Sequence, residues 1–146
     1  ALSMADQVMV MRDGRLRQVG TPQEVYDSPA DPWVADFVGE AMLLDGVVDD
    51  GTASTAVGAA PLCEPVADGR ATVLIRPEQI ELTSETDGEI RARVVDVSFF
   101  GHDALVRLRL NDGAPATART LGARPAPGAE VGLRVKGAVR AYPLDA

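Results

Sequence analysis

The chain has 146 residues, of which 46% are hydrophobic and 25% charged, as in an ordinary globular protein. Its formal net charge of −8 argues against a general surface for nucleic acid or anionic membranes, because binding to phosphates needs clustered lysine and arginine. The single cysteine, Cys63, excludes an intramolecular disulfide and fits a reducing cytosol. We find neither a secretory leader nor an apolar run of membrane-spanning length, and therefore expect a cytosolic chain that does not insert into the membrane.

The first predicted element is a β-hairpin. Residues 8–11 are all apolar, which favours a strand buried on both faces. The Asp13–Gly14 pair that follows is the strongest short signal for a hairpin turn. Residues 16–19 are then expected to return as the partner strand.

Two short helices are predicted next. In the first, Thr21 can cap the helix, Pro22 suits the first helical position, and Glu24 completes a capping box. The second should begin at Asp31 and close at Gly39 as its C-terminal cap. Its apolar stripe falls at helical spacing and consists of Trp33, Val34, Phe37 and Val38.

Residues 1–40 are too few to form a stable core without a disulfide or a metal. We therefore expect the remainder of the chain or a second copy to cover their apolar surface. Unpaired strand edges favour a second copy, which predicts a homodimer. The candidate interface residues are Val8, Val10, Trp33 and Phe37.

The composition shifts after Gly39, and the remaining residues read as strands. Residues 42–48 predict the first strand, and the Gly- and Ala-rich stretch over 49–70 predicts turns with at most one short strand. Residues 71–75 predict an apolar strand that runs into Arg76, Pro77 and Glu78. Because Pro77 fixes φ and lacks an N–H, the strand must end or bulge there, so these three residues are expected to form a structural corner.

The second half of the chain predicts an antiparallel β region. Residues 89–100 form the longest candidate strand, in which adjacent Val94 and Val95 imply a bulge. Gly101 and the next two residues turn the chain back into a strand over 104–110, and weaker strands are expected over 116–121, 131–136 and 139–142. This spacing predicts a mainly β fold, a small antiparallel barrel or sandwich.

Residues that could carry chemistry are few. The sequence contains no G-x-x-x-x-G-K-[ST] loop to hold the phosphates of ATP. His102 is the only histidine, and one histidine with one distant cysteine cannot build a zinc site, so we expect a turn residue and an inert thiol. We therefore predict no catalytic, cofactor-binding or metal residues in this chain.

One arginine-rich surface remains possible as a binding site. Four arginines alternate along two adjacent predicted strands and could share one outer face: Arg91, Arg93, Arg107 and Arg109. A patch of this kind could bind a small anion. Nucleic acid is disfavoured because no aromatic residues are interleaved for base stacking.

The order of these elements resembles the end of the ATPase domain of an ABC transporter. The resemblance rests on the hairpin, on Gly-Thr-Pro-Gln-Glu at 20–24 and on Asp-Pro-Trp-Val-Ala-Asp-Phe-Val-Gly at 31–39. The apolar strand that runs into Arg76, Pro77 and Glu78 resembles the transport-associated OB (TOBE) domain, which follows the ATPase domain in many ABC importers. This divides the chain into an ATPase remnant over 1–40 and a TOBE domain with an OB-like barrel over 41–146.

Within this family, the sequence is most similar to ferric-iron importers. The similarity lies in three stretches, which are residues 76–80, residues 100–106 with Phe100 and Gly101, and residues 135–139. It implies a regulatory and dimerisation portion of an ATP-binding subunit, which couples ATP hydrolysis to import and docks on membrane permeases at the inner face of the cell membrane. Polyamine, sulfate and sugar importers stay open as alternatives. ATP and magnesium would belong to the intact parent, and this chain alone is not expected to be an enzyme.

A second hypothesis is a free-standing OB-like module. Such a module would bind a small oxyanion or a regulator through the four arginines, and related C-terminal domains that bind molybdate make it reasonable.

Overall fold

The computed structural model describes residues 6–84, 90–122 and 125–144, and it begins with the predicted hairpin and two helices. Strands β1 (Val8–Arg12) and β2 (Arg15–Gly20) are antiparallel. Helices α1 (Pro22–Asp27) and α2 (Pro32–Val38) follow. Within the described residues, no helix is long and apolar enough to cross a membrane.

The local signals in this segment act as predicted. Asp13 and Gly14 both adopt positive φ, 53° and 75°, which is the geometry that tight hairpin turns require. The Thr21 hydroxyl accepts the Glu24 N–H at 3.1 Å, and the Glu24 carboxylate accepts the Thr21 N–H at 3.3 Å, so the capping box is formed. At the second helix, the Asp31 carboxylate accepts the Val34 N–H at 2.8 Å.

Gly39 ends α2, but its role differs from that of a left-handed cap. Its φ is 177°, which is extended backbone that any residue can adopt. The position needs glycine for space, because an added Cβ would lie 2.8 Å from Cε1 of Tyr26. Gly39 thus allows the end of α2 to approach α1 closely.

The prediction that the first strand is buried on both faces is wrong. Val10 is 2% exposed and packs with Val25 and Val34, whereas Met9 is 66% and Met11 51% exposed. Only one face of the hairpin packs on the helices, and nothing in the described part of the chain covers the other.

The first of two five-stranded sheets has the order β12-β6-β3-β4-β5 and is antiparallel throughout. Its strands are β3 (Met42–Asp49), β4 (Thr52–Thr55), β5 (Gly58–Pro61), β6 (Gly69–Ile75) and β12 (Arg140–Pro143). The expectation of at most one strand over 49–70 is wrong, since β4, β5 and the start of β6 lie there. Alanine, glycine and proline, which are depleted in strands, make up β5 and part of β4, and their weak β propensity is overridden by the pairing of β4 with β3 and of β5 with β4.

The second sheet has the order β10-β9-β8-β11-β7. Its strands are β7 (Ile80–Thr83), β8 (Ile90–Phe99), β9 (Ala104–Leu110), β10 (Pro115–Thr120) and β11 (Glu130–Val135). The predicted bulge is confirmed, because the β8–β9 register shifts between Val94 and Asp96. Polar and glycine-containing residues predict a loop over 83–88, and proline and glycine predict another over 122–128; both stretches lie partly outside the described residues.

One aliphatic core lies between the two sheets. It draws Val48 and Val73 from the first sheet and Val106, Leu108 and Leu133 from the second, each at most 2% exposed. The buried positions are filled by valine, leucine, isoleucine and alanine, as the low aromatic content requires. The mainly β, antiparallel architecture is therefore confirmed.

Gly46 of β3 offers a direct test of this packing. An added Cβ would lie 2.7 Å from Cγ2 of Val73 and 2.8 Å from the backbone oxygen of Ser54, which cannot move without disturbing β4. We expect Gly46→Ala to lower the free energy of unfolding by about 2 kcal/mol in urea denaturation. Gly122→Ala is the matched control, since nothing lies within 4 Å of its added Cβ, and equal stability of the two variants would contradict the packing.

Candidate functional site

The corner after β6 carries the chain from one sheet to the other. Pro77–Gln79 form a single 3-10 turn, in which the Gln79 N–H donates to the carbonyl of Arg76 at 2.9 Å. The Gln79 side chain accepts the Arg76 N–H at 3.0 Å and donates to the carbonyls of Lys136 and Ala138 at 3.2 and 2.9 Å. The structural corner predicted at Pro77 is thus formed, and hydrogen bonds fix its direction.

The side chain of Arg76 reaches from this corner into the helices. It is 6% exposed. Its Nη1 donates to the carbonyls of Ala35, Gly39 and Glu40 at 3.1, 3.3 and 2.8 Å, and its Nη2 donates to the carbonyl of Tyr26 at 3.0 Å. One guanidinium therefore binds the ends of both helices to the β sheets. Carbonyls at helix C-termini lack partners within the helix, and a cation there is favourable.

The guanidinium of Arg76 is surrounded by carbonyl dipoles and an aromatic ring. The guanidinium carbon lies 4.1 Å from the centroid of the Tyr26 ring, a cation–π contact. The ion pairs found among the described residues do not include Arg76. Its Nε is buried and has no hydrogen-bond partner in the described part of the chain.

Glu78 binds the hydroxyl of Tyr26. The Tyr26 hydroxyl donates to Oε2 of Glu78 at 2.7 Å. Burial, reinforced by this hydrogen bond to a carboxylate, raises the pKa of Tyr26 to about 12. Arg76 and Glu78 thus contact the same tyrosine.

A second set of contacts joins the helix connection to β12. The Tyr142 hydroxyl donates to the carbonyl of Pro29 at 2.6 Å. Arg140 donates to Oγ of Ser28 at 3.1 Å and forms an ion pair with Glu64. Burial raises the pKa of Tyr142 to about 12. The first two residues of the α1–α2 connection are therefore tied to β12.

An open cavity of about 430 Å³ lies at this junction. Arg76 and Arg140 line it, together with Ser28 and Cys63. Cys63 is exposed and unpaired. No basic residue lies next to Cys63 along the chain, but the fold places its thiol on the same cavity as two arginines.

Phe100 and Gly101 lie elsewhere, in the turn between β8 and β9. The Phe100 N–H donates to the carbonyl of Asp103 at 2.8 Å, and Gly101 has a φ of 92°, which favours glycine. His102 occupies this same turn. Among the described residues, no three His, Cys, Asp or Glu side chains cluster as a metal site would require.

The four arginines of the possible anion patch are mostly engaged. Arg93 pairs with Glu130 at 2.8 Å, and Arg107 pairs with Asp96 at 2.7 Å. Arg109 donates to the carbonyl of Gly113 at 3.1 Å and stands opposite Arg93 in the β8–β9 ladder. Arg91 lies on β8, two residues before Arg93, so on the same face. The patch stays a prediction, and the carboxylates of Glu130 and Asp96 already pair with two of its arginines.

The interface candidates also fall into different environments. Val10 is buried in the small core of residues 1–40, whereas Val8 and Trp33 are partly buried beside it. Phe37 is 64% exposed and stacks on Trp33 with ring centroids 5.0 Å apart. Of the four, Phe37 presents the most surface to a partner.

Sequence reasoning missed the partners of Arg76. The four acceptors of its side chain are all backbone carbonyls, which every residue type supplies. Tyr26, Arg140 and Tyr142 carried no motif either. The available signal was a tyrosine near the end of α1 and another near the end of the chain, in a sequence with only two.

We expect Arg76→Met to lower the free energy of unfolding by about 3 kcal/mol, because the change leaves buried carbonyls without a donor. Amide hydrogen exchange over residues 26–40 should also quicken. The control is Arg134→Met, which removes an exposed pair with Glu81 and should cost no more than about 0.5 kcal/mol. Equal losses in both variants would refute the bridging role of Arg76.

Tyrosine ionisation gives an independent check. Tyr26 and Tyr142 are the only tyrosines, and both pKa values are raised to about 12. The folded chain therefore keeps protons that the unfolded chain releases from about pH 10, so their contribution to stability is present below pH 10 and is lost as pH rises through about 12. We expect the absorbance titration of the native chain to occur at higher pH than that of the urea-denatured chain, and Tyr142→Phe to halve the amplitude of the native transition. Native tyrosines that ionise with the denatured ones would contradict this burial.

Comparison with known proteins supports the predicted family. Residues 73–139 match the TOBE domain. Over 98% of its length, the chain is 45% identical to the Fe(3+) ions import ATP-binding protein FbpC 1 of Rhodococcus jostii, covering 43% of that protein. It is also 35% identical, over 86% of its length, to the spermidine/putrescine import ATP-binding protein PotA of Mesorhizobium japonicum, covering 37% of it. The chain thus spans less than half the length of these relatives.

A solved structure supports the fold. The cytoplasmic molybdate-binding protein ModG, with molybdate bound, aligns to 69% of this chain and 94% of its own with a TM-score of 0.53. Their sequence identity of 18% supports likeness of fold alone. From the domain match and the relatives together, we conclude that the chain carries a TOBE domain and is a relative of the C-terminal part of ABC importer ATP-binding subunits, with Fe(3+)-import proteins among its relatives.

Proposed function

We propose that this chain serves as the regulatory and dimerisation portion of an ABC importer's ATP-binding subunit, and that the importer carries ferric iron. The observation that supports this most is the 45% identity, over nearly the whole chain, to a protein named for Fe(3+) import. Because another relative is named for spermidine/putrescine import, a polyamine is the first alternative cargo, and sulfate and sugar are further alternatives. The intact subunit would lie on the inner face of the cell membrane, bound to permease subunits.

The geometry suggests how such a portion would act. Arg76 binds the ends of both helices, and Tyr142 binds the loop between them, so residues 22–40 and the β sheets should move as one body. A movement that begins in the ATPase domain and displaces residues 22–40 would then displace the β sheets with them. ATP and magnesium would be held by residues that this sequence does not contain, and the lack of ATPase activity in this chain alone stays a prediction.

The second candidate is a free-standing module that binds an oxyanion through Arg91, Arg93, Arg107 and Arg109. The OB-like fold is compatible with it, since ModG shares the fold. The ion pairs of Arg93 and Arg107 weigh against it, because an incoming anion would have to displace Glu130 and Asp96. We therefore rank it below the transport role.

A chimera tests the transport role. This chain would replace the aligned part of the Rhodococcus jostii protein FbpC 1 in cells that lack their own copy, and uptake of radioactive ferric iron would be measured. We expect uptake well above that of the empty vector, because the replaced part shares 45% identity. A second chimera, which carries the aligned part of the polyamine relative, is the control that shows whether iron uptake depends on the origin of this part. A stable chimera that hydrolyses ATP without importing iron would contradict the proposal.

Self-association through residues 1–40 is the second functional expectation. Apolar side chains are exposed on the hairpin and α2 at Met9, Met11, Leu16, Val19 and Phe37. We expect a homodimer in sedimentation velocity across micromolar concentrations, with Trp33 shielded from a soluble quencher. Met9→Lys should raise the dimer dissociation constant about tenfold or more, because the lysine would place a charge where the expected dimer buries the Met9 side chain.

The control for that variant is Val95→Lys, which changes an exposed valine at the β8 bulge, away from the hairpin. It should leave the dimer unchanged. A wild-type chain that stays monomeric at high micromolar concentration would refute the expected homodimer.

A further inference from the structure

The junction cavity contains a buried cation with no counter-ion. Arg76 is 94% removed from solvent, since its exposure is 6%, and its hydrogen-bond acceptors are all carbonyls. Buried charges are ordinarily paired with an opposite charge, because dipoles alone replace hydration incompletely. The ion pairs of the described residues place a carboxylate on Arg140 but none on Arg76.

Two buried N–H groups at this junction also lack acceptors. Nε of Arg76 and Nε of Arg140 are the buried side-chain atoms without a hydrogen-bond partner in the described part of the chain. Both residues line the cavity of about 430 Å³, which also has the hydroxyl-bearing Ser28 on its wall. Orphaned donors on one cavity are an arrangement that an acceptor-rich ligand would satisfy.

We propose that this cavity binds a small tetrahedral oxyanion of the phosphate type, between Arg76 and Arg140. Such a group offers several acceptor oxygens to the two guanidinium groups and supplies the negative charge that Arg76 lacks. Asp27 and Glu78 also line the cavity and oppose an anion, so the affinity should be modest, with a Kd on the order of 1 mM. The site is separate from the four arginines of the β8–β9 face.

Binding here would strengthen the junction itself. The anion would contact residues from the α1–α2 connection, the Pro77 corner and β12 together, so it stabilises the arrangement in which they meet. Residues 22–40 would then be held on the β sheets more firmly when the oxyanion is bound. This inference does not rest on the proposed transport role, and either can fail without the other.

The test uses the intact chain and inorganic phosphate. Calorimetric titration should give one site, with sodium chloride of equal ionic strength as the blank. Cys63 locates the site, because it is the only cysteine, is exposed and lines the same cavity. Its alkylation by neutral iodoacetamide, followed by intact mass, should slow about tenfold at ten times the Kd, since protection follows one plus the ratio of ligand to Kd.

Arg140→Gln is the diagnostic variant, because Arg76 also holds the helices in place and its loss could unfold them. The change should raise the Kd for phosphate about tenfold, through the loss of charge-assisted hydrogen bonds. Arg134→Gln, on β11 and outside the cavity, should bind phosphate like the parent. Circular dichroism checks that both variants are folded.

Three results would overturn the proposal. The first is no calorimetric binding up to about 50 mM phosphate, far above a millimolar Kd, which would mean that water satisfies the two Nε groups. The second is binding without any protection of Cys63, which would place the anion elsewhere. The third is equal binding to the parent and to Arg140→Gln.

Discussion

A single buried guanidinium holds the two parts of this chain together. Arg76 lies at the corner between β6 of the first sheet and β7 of the second. Its side chain donates to carbonyls at the ends of both short helices. Arginine suits this place because its planar fork carries five donors in fixed directions, whereas lysine offers a single ammonium point charge. Neither helix exceeds seven residues, so neither would be stable by itself in water.

The neighbours of Arg76 make this interaction possible. Pro77 starts the turn that aims the arginine away from its strand, and Gln79 anchors that turn to the loop before β12. Gly39 leaves room for Tyr26, whose ring lies against the guanidinium. The Arg76-Pro77-Glu78 sequence therefore has a physical role for each residue: the first joins, the second turns and the third holds Tyr26.

The β sheets provide the rigid support for this junction. Their core is aliphatic and continuous from sheet to sheet, and each of its buried members is at most 6% exposed. The segment over 6–40 is different, since its own buried cluster is small and one face of its hairpin is open. Hydrogen bonds from Arg76 and Tyr142 therefore add to this small cluster in holding the segment on the sheets.

Local signals in the sequence determined the elements whose causes are local. The Asp13–Gly14 turn, the Thr21 capping box, the end of β6 before Pro77 and the bulge at Val95 each depend on residues within a few positions, and each is present. The family resemblance likewise follows from short stretches read in order.

Tertiary structure alone decided the rest. Strands β4 and β5 form because β3 pairs with β4, despite a composition that favours turns. The open face of β1 results from what packs beside it. Arg76 finds backbone carbonyls far along the chain, and every residue type supplies the same carbonyl, so no sequence pattern could have identified them.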